Sequence, residues 1–286
     1  MPYQILTDSC CDFTADKYRE LGLVAVPLTV NFRGESYPDK NDDTLRDMYA
    51  GLRAGEVATT AAANPEQWTS AMEPFLQAGE DVLVLSFSSG LSTSYQSAVI
   101  AATDLQEAYP ERTIRVVDSL SASLGQGLLA WYASRKRQEG CSLDALAQWL
   151  EDNRFHLCHW FTVDDLMYLK RGGRINAATA VMGTMLSIKP VLHMDDEGHL
   201  ISVGKARGRK ASIQAMAQKA AELGRGYENP VMFISHGDCL EDAEYLSDLL
   251  KQTYGVKEIY INYVGAVIGS HSGPGTLALF FMGEHR

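Results

Sequence analysis

Residues 87–95, FSSGLSTSY, separate a short apolar run from a helical pattern, and they decide how the first half of the chain folds. The preceding run, 81–86, is continuous, apolar and short, which is typical of a buried strand. After the turn, apolar side chains recur at helical spacing from Tyr95 until Pro110 ends the pattern. The hydroxyl-rich segment is therefore predicted to lead from the carboxyl end of a strand into a helix.

The position and composition of this turn predict an anion site. In open α/β sheets ligands bind at the carboxyl ends of the strands. The first N–H groups of a helix have no partner within it and carry partial positive charge. Residues 87–95 add four serines and a threonine as hydroxyl donors. We interpret the turn as a site for a phosphate or a carboxylate; the alternative is that one serine simply caps the helix.

Composition limits the classes of protein to consider. The chain has 286 residues, 46% of them hydrophobic and 21% charged, which suits a globular protein of about two domains. Its formal net charge of −11 disfavours nucleic acid and anionic membrane surfaces as partners. No apolar run reaches the roughly 20 residues that cross a bilayer, and the N-terminus lacks a signal-peptide pattern. We expect a soluble, cytoplasmic protein without a transmembrane segment.

The five cysteines form no C-x-x-C pair and show no spacing typical of a metal site, so no metal is expected. The adjacent Cys10 and Cys11 are predicted to be small buried hydrophobes rather than a redox pair.

The first half of the chain alternates strand and helix patterns, which predicts a mostly parallel sheet flanked by helices. Residues 3–7, 23–32 and 113–117 are predicted as strands, and 58–63 as a loop of small residues. Residues 64–67, Asn-Pro-Glu-Gln, are a strong helix start, and Asp43 precedes another helix. Pro74 is expected to kink or shorten the helix that begins at 64–67.

Strand patterns crowd together in the second half, which predicts a second α/β domain with a mixed sheet. We place the division between residues 1–155 and 156–286. Asp195-Asp196-Glu197-Gly198 is a predicted hairpin turn. The predicted strands are 160–163, 188–194, 200–206, 231–235 and 258–268.

Two basic clusters, 170–174 and 205–210, stand out on this acidic chain. Their glycines would let the backbone approach a bound phosphate or an acidic partner, and the alternative is an ordinary solvated face. A third cluster, 269–276, encloses His271 between glycines and is predicted to be a tight loop after a strand. That histidine could donate to a carboxylate, or it could be structural.

A hydrolase is the alternative function at this stage. Residues 90–94 approach the G-x-S-x-G nucleophile elbow, with Ser92 as the nucleophile. Asp118 or Asp238 and then His271 follow in the chain order of an α/β-hydrolase triad. The closing glycine of the motif is missing, so the match to a triad is weak. A third hypothesis is a module that binds a phosphate or a phosphorylated ligand and does not bind lipid.

The chain resembles the DegV family, which includes the FakB fatty-acid-binding proteins. Two positions depart from the family pattern: Thr93 replaces a glycine, and Ala62-Ala63 replaces Gln-Pro. The matching segments are Thr7-Asp8-Ser9, Thr60-Ala61, Ser88-Ser89-Gly90-Leu91-Ser92, Asp118-Ser119, Gly125-Gln126-Gly127, 166–175, Ile188-Lys189-Pro190, Lys205-Ala206-Arg207 and 269–275.

This resemblance implies a two-domain protein whose N-terminal domain buries a long-chain fatty acid, with the carboxylate in the crevice between the domains. By matched position, Ser92 would donate to the carboxylate, Thr60 and His271 would complete the network, and Arg207 would assist nearby. The remaining positions implied in the ligand site are Ser89, Gly90, Thr93, Ala61, Gly173 and Gly275.

The resemblance also implies that the protein has no catalytic residue and no cofactor of its own. It would present the bound acid to an ATP-dependent fatty-acid kinase subunit, which makes an acyl phosphate. The two basic clusters are candidates for the surface that meets this kinase.

Overall fold

The computed structural model describes residues 2–40, 44–176 and 188–286, and within these ranges it shows two main sheets and a small third one. The strands are β1 (Tyr3–Asp8), β2 (Leu23–Val26), β3 (Thr29–Phe32), β4 (Glu35–Pro38), β5 (Thr59–Ala61), β6 (Asp81–Ser86), β7 (Ile114–Asp118), β8 (Leu157–Thr162), β9 (Ile188–Met194), β10 (Leu200–Arg207), β11 (Val231–His236), β12 (Glu258–Tyr263) and β13 (Leu277–Met282). The helices are α1 (Ala15–Leu21), α2 (Thr44–Arg53), α3 (Pro65–Gln77), α4 (Ser94–Ala108), α5 (Leu124–Gln138), α6 (Leu143–Asn153), α7 (Met167–Arg171), α8 (Arg209–Leu223), α9 (Leu240–Thr253) and α10 (Ala266–Ser272).

The first sheet has four parallel strands in the order β2-β1-β6-β7. Successive side chains of a strand face opposite sides, so Ile5 and Leu6 enter two different cores. Helices α5 and α6 cover the face of Ile5 and Leu83, and α3 and α4 cover the face of Leu6 and Val84. The predicted parallel sheet between helices is confirmed.

The second sheet has six strands in the order β10-β9-β8-β13-β11-β12. Only β11 and β12 pair in parallel, so the predicted mixed sheet is also confirmed. One face packs against α8 and α9. The other face turns Phe161, Phe233 and Phe280 toward Leu124 and Leu128 of α5. Helix α5 therefore lies between the two sheets, and both halves of the chain share one apolar core.

A small antiparallel sheet, β4-β3-β5, corrects two predictions in the first half. The strand predicted over 23–32 is two strands in different sheets, interrupted at Pro27, which has no N–H to donate to a ladder. Residues 59–61, predicted as part of a loop, form the edge strand β5, which pairs with β3. This pairing joins residues about thirty positions apart in sequence, such as Asn31 and Thr59, so no local sequence pattern predicts it.

The segment after β12 corrects a third prediction. The strand predicted over 258–268 ends at Tyr263, and Ala266–Ser272 is the helix α10. His271 therefore lies in the last turn of a short helix rather than in a tight loop. The apolar strand β13, which pairs with both β8 and β11 in the second sheet, was not predicted.

Several local signals are confirmed. Asn64 and Gln67 form a capping box at the start of α3. The hairpin at 195–198 joins β9 to β10, and both Cys10 and Cys11 are buried. Pro74 does not end its helix, since α3 continues to Gln77, and the alternative that it kinks the helix stays a prediction. Asp43, which precedes the predicted helix that corresponds to α2, lies outside the described residues. None of the helices in the described ranges is both long and apolar enough to span a bilayer.

Candidate functional site

Residues from both halves of the chain line one cavity of about 480 Å³. Small-molecule sites are typically roughly 300–1,000 Å³ and mostly apolar. The larger apolar side chains of the wall are Leu28, Phe87, Leu91, Phe161, Leu169, Met194, Leu200, Val264, Val267, Ile268 and Phe280. A cavity of this composition suits a ligand that is largely hydrocarbon.

Thr60 and His271 meet on the wall of this cavity. Thr60 Oγ1, on the edge strand β5, lies 2.8 Å from His271 Nε2 on α10. Burial, and secondarily the charge of Arg174, lower the pKa of His271 to about 4. The imidazole is therefore neutral near pH 7, and one of its ring nitrogens is a hydrogen-bond donor.

The strand-to-helix turn has the predicted position, and it contributes three hydroxyl-bearing residues to the wall: Ser89, Ser92 and Thr93. Ser92 Oγ accepts from the backbone N–H of Ser94 at 3.2 Å, so its own proton can serve a ligand. The buried Ser88 has a different task, because its hydroxyl donates to the carbonyl of Gly198 at 2.9 Å. The turn is thereby fixed to the hairpin of the second sheet.

Among the described residues, Arg174 rather than Arg207 places a positive charge on the cavity wall. Arg207 is exposed at the end of β10 and does not line the cavity. Arg174 follows α7, lines the cavity, and donates from Nε to the carbonyl of Leu91 at 3.1 Å. Arg174 also donates a hydrogen bond of 2.6 Å from Nη1 to the carbonyl of Gly172. These two bonds hold the guanidinium between the serine-rich turn of the first sheet and the end of α7.

Four other predicted site residues lie outside the cavity wall. Ala61 and Gly173 are exposed. A Cβ on Gly90 would lie 2.7 Å from the carbonyl oxygen of Gly198, so Gly90 allows the turn to pack against the hairpin. Gly275 has a φ of 77°, a conformation that favours glycine. The three glycines therefore set the course of the backbone near the site, and none of the four residues lines the cavity.

A family model described as an uncharacterised protein of the DegV family matches residues 2–284. The chain belongs to the DegV family. A DegV domain-containing protein of Clostridium perfringens is 42% identical over 289 residues, which cover 99% of this chain and 98% of that protein. A DegV domain-containing protein of Lactococcus lactis is 35% identical over 283 residues, covering 98% of this chain and 97% of the relative.

Solved DegV structures share the whole fold. A DegV family protein of Thermus thermophilus, described for its fatty-acid binding, is 33% identical with a TM-score of 0.89, over 99% of this chain and 100% of that one. DegV of Bacillus subtilis, described as a fatty-acid-binding protein, is 28% identical with a TM-score of 0.84, over 99% and 100%. The fatty acid kinase B3 protein of Streptococcus pneumoniae, loaded with linoleic acid, shows the same fold at 22% identity, with a TM-score of 0.86 over 99% and 100%.

The hydrolase triad is not assembled in this DegV chain. Asp118 accepts hydrogen bonds from backbone N–H groups of the adjoining turns. Asp238 forms an ion pair with Arg53. No contact recorded among the described residues joins either carboxylate to His271, and none joins His271 to Ser92. A serine hydrolase needs hydrogen bonds that link the nucleophile to the base and the base to the acid. The described residues show no such links among Ser92, His271 and the two carboxylates.

Six polar residues of the cavity wall were not among the predicted site residues: Ser123, His159, Arg174, Ser235, Ser272 and Thr276. Ser123 belongs to the second hydroxyl-rich strand end, 118–123, which was a usable signal. His159 and Ser235 lie in strands whose neighbours are apolar, and only the pairing of the second sheet shows that they face inward.

Buried carboxyls hold the start of α10. Asp39 accepts from the first two backbone N–H groups of this helix, and Asp12 accepts from the N–H of Gly265 just before it. Burial raises the pKa of Asp39 to about 6 and that of Asp12 well above its usual value. These contacts bridge more than two hundred residues of sequence, so sequence patterns cannot reveal them.

Proposed function

We propose that this protein binds one long-chain fatty acid, with the acyl chain in the cavity and the carboxylate beside Thr60, Ser92 and His271. The observation that carries the proposal is an apolar cavity with hydroxyls, a neutral imidazole and an arginine on its wall. The solved DegV structures described as fatty-acid-binding support it.

The side chains divide the work of binding. Ser92 and the Thr60–His271 pair supply hydrogen-bond donors to the carboxylate oxygens, and Arg174 supplies the compensating positive charge. Ser89 and Thr93 complete this wall, and Arg174 takes the place that the family resemblance gave to Arg207.

The energetics favour tight but reversible binding. A long-chain acid has about fourteen methylenes, each worth ~0.8 kcal/mol when buried, or roughly 11 kcal/mol in total. Association and chain ordering cost several kcal/mol of this. The tail therefore supplies most of the affinity, and the polar residues select an acid over other lipids.

Replacing Ser92 tests this division. We expect Ser92→Ala to raise the dissociation constant for hexadecanoic acid about tenfold, because one hydrogen bond to a charged group is lost. Binding of the primary alcohol of the same length should change less than about twofold. Titration of the delipidated protein measures both ligands.

Ser97→Ala is the matched control, since Ser97 lies on α4 outside the cavity wall. An equal loss for acid and alcohol, or no loss for the acid in Ser92→Ala, would contradict the proposed carboxylate site.

We further propose that the bound carboxylate is the substrate of an ATP-dependent kinase subunit that docks on the basic clusters. A carboxylate oxygen attacks the γ-phosphorus of ATP and ADP leaves, which yields an acyl phosphate. The support is positional: Lys170 and Arg171 are exposed on α7, three or four residues before Arg174 in the site. Arg207 is exposed at the end of β10 in the second sheet.

Charge reversal tests the docking surface. With a purified fatty-acid kinase subunit, ATP and protein loaded with labelled acid, acyl phosphate is trapped as its hydroxamate. Arg171→Glu should lower the rate about tenfold or more and leave the content of bound acid unchanged. Arg19→Glu, at an exposed position on α1, is the control. Unchanged phosphorylation of the Arg171→Glu protein would overturn this docking surface.

A further inference from the structure

Arg286 is a buried cation that does not line the cavity. It is 7% exposed, and burial lowers its pKa to about 10, so the guanidinium is still charged near neutral pH. Burying a charge is unfavourable unless its donors find partners. The partners here are three backbone carbonyls: Nη1 donates to Leu120 at 2.8 Å and to Asp195 at 3.0 Å, and Nη2 donates to Arg154.

These carbonyls belong to three segments that are far apart in sequence. Leu120 lies in the second hydroxyl-rich strand end, 118–123, and Asp195 begins the hairpin turn 195–198. Arg154 lies in the short connection from α6 to β8. One side chain therefore fixes a turn of the first half of the chain to a turn of the second half.

The segment 118–123 has a backbone that needs such support. Leu120 and Ser123 have φ angles of 46° and 55°, in the left-handed region that favours glycine. Conformations of this kind persist only where the surrounding structure holds them, and they cluster at ligand sites. The N–H of Leu120 donates to the Asp118 carboxylate at 3.0 Å, and its carbonyl accepts from Arg286. Side chains therefore hold both backbone polar groups of Leu120.

Ser88 joins the same two turns from the side of the proposed carboxylate site. Its N–H donates to the carbonyl of Ser121 at 3.0 Å, one residue after the first carbonyl that Arg286 holds. Its hydroxyl donates to the carbonyl of Gly198 at 2.9 Å. The N–H of Gly198 donates at 3.0 Å to the same Asp195 carbonyl that accepts from Arg286. The two turns, Ser88 and Arg286 therefore form a closed ring of contacts.

This ring of contacts reaches Ser92 and is tightly packed. The carbonyl of Ser88 accepts from the N–H of Ser92 at 3.1 Å. A Cβ on Gly198 would collide with Ser88 Oγ, and a Cβ on Gly90 would lie 2.7 Å from the carbonyl oxygen of Gly198. Because the hairpin and the serine-rich turn are in direct backbone contact, a shift of the hairpin also shifts the turn that carries Ser92.

We propose that Arg286 is a positioning residue of the carboxylate site. By holding the segment 118–123 and the hairpin at a fixed separation, it places the Ser92 hydroxyl where it meets the carboxylate of the ligand. This inference rests on the proposed function, because Ser92 has a carboxylate partner only if the protein binds a fatty acid. Binding groups give full affinity only when supporting contacts hold them to within about 0.5 Å.

The ratio of the affinities for hexadecanoic acid and for the primary alcohol of the same length reports the position of Ser92. Arg286→Met keeps a long side chain and removes every donor. In titrations of delipidated protein, we expect it to lower this acid-to-alcohol ratio about fivefold or more. A loss of stability alone would not change the ratio. Arg225→Met, at an exposed position of the second half, is the matched control and should leave the ratio unchanged.

Ser88→Ala breaks the same ring of contacts at the other end, and it tests the inference even if the Arg286→Met protein does not fold. We expect it to lower the acid-to-alcohol ratio about fivefold as well. The double variant should lower the ratio no further than the larger single effect, to within about twofold, because both changes open one ring. Thermal unfolding of each variant gives the accompanying change in stability.

The outcomes separate this inference from the proposed function. An unchanged ratio in Arg286→Met or in Ser88→Ala would overturn the positioning role and leave fatty-acid binding intact, as would independent, additive effects in the double variant. Failure of the wild-type protein to bind hexadecanoic acid would overturn the proposed function together with this inference.

Discussion

His271 and Asp39 have pKa values shifted in opposite directions by the same cause, burial. The pKa of His271 is lowered to about 4 and that of Asp39 is raised to about 6. The pKa of the Asp39 carboxyl is higher in the folded protein than in the unfolded chain, where it is about 4. Its contribution to the free energy of unfolding is therefore complete below about pH 4 and is lost as the pH rises through about 6. The pKa of His271 is lower in the folded protein than in the unfolded chain, where it is about 6.5. Its contribution to the free energy of unfolding is therefore complete above about pH 6.5 and is lost as the pH falls through about 4. The two groups therefore oppose each other over the acidic range.

Asp39→Asn isolates the carboxyl contribution. The wild-type protein should gain stability relative to this variant by about 2 kcal/mol as the pH falls from about 7.5 to about 4.5, because the buried acid becomes protonated. Denaturant unfolding at both pH values measures this difference. Asp104→Asn, at an exposed position of α4, is the matched control. A difference between wild type and Asp39→Asn that is the same at both pH values would contradict the buried, protonated state.

Helices α7 and α10 meet at the proposed carboxylate site through Gly172, a residue without a side chain. Gly172 ends α7 with a helical φ of −72°, so its backbone would accept an alanine. A Cβ there would collide with the His271 ring, whose Nδ1 is its nearest neighbour. The position therefore tests contact between the elements without backbone strain.

Gly172→Ala should displace the His271 ring and break its contact with Thr60. We expect fatty-acid affinity to fall about tenfold or more, with a loss of stability of only about 1 kcal/mol. Titration and thermal unfolding measure the two effects. Gly204→Ala is the control, since its Cβ would meet Val191 at an ordinary 3.5 Å. Unchanged acid binding by Gly172→Ala would show that the position of His271 is unimportant.

The elements that could be predicted from the sequence carry their own local signal. The apolar run of β6 and the capping box at Asn64 depend only on neighbouring residues. The edge strand β5 depends on pairing with β3, and α10 depends on carboxyls at Asp12 and Asp39. The same distinction holds within the site: the serine-rich turn was predicted, but the choice between two arginines required the fold.

The cavity lies between the two main sheets, and residues from both halves of the chain line it. The shape of the ligand that fits therefore depends on how the whole molecule folds. Helix α5 packs between the sheets, and the central strand β13 presents Ala278 to the cavity. The division of the chain between residues 155 and 156 remains our proposal, and it falls in the short connection from α6 to β8. Residues from both sides of this division line the same wall.

Ala278→Leu should shorten the longest acid that the protein accepts. The larger side chain would occupy cavity space rather than a packed core, so we expect the fold to survive. Binding measured across acids of increasing length should show the loss beginning at a shorter chain than in wild type. Ala217→Leu, buried against the other face of the second sheet, should lower stability without changing this length limit. An unchanged limit in Ala278→Leu would place the acyl chain elsewhere.

Native mass spectrometry of the protein tests the central claim most directly. After the delipidated protein is mixed with hexadecanoic acid, we predict a single added mass of one acid per chain, with the adduct strongly reduced in the Ser92→Ala protein. A spectrum of wild-type protein without that adduct would contradict the account, as would several acids bound equally by wild type and variant.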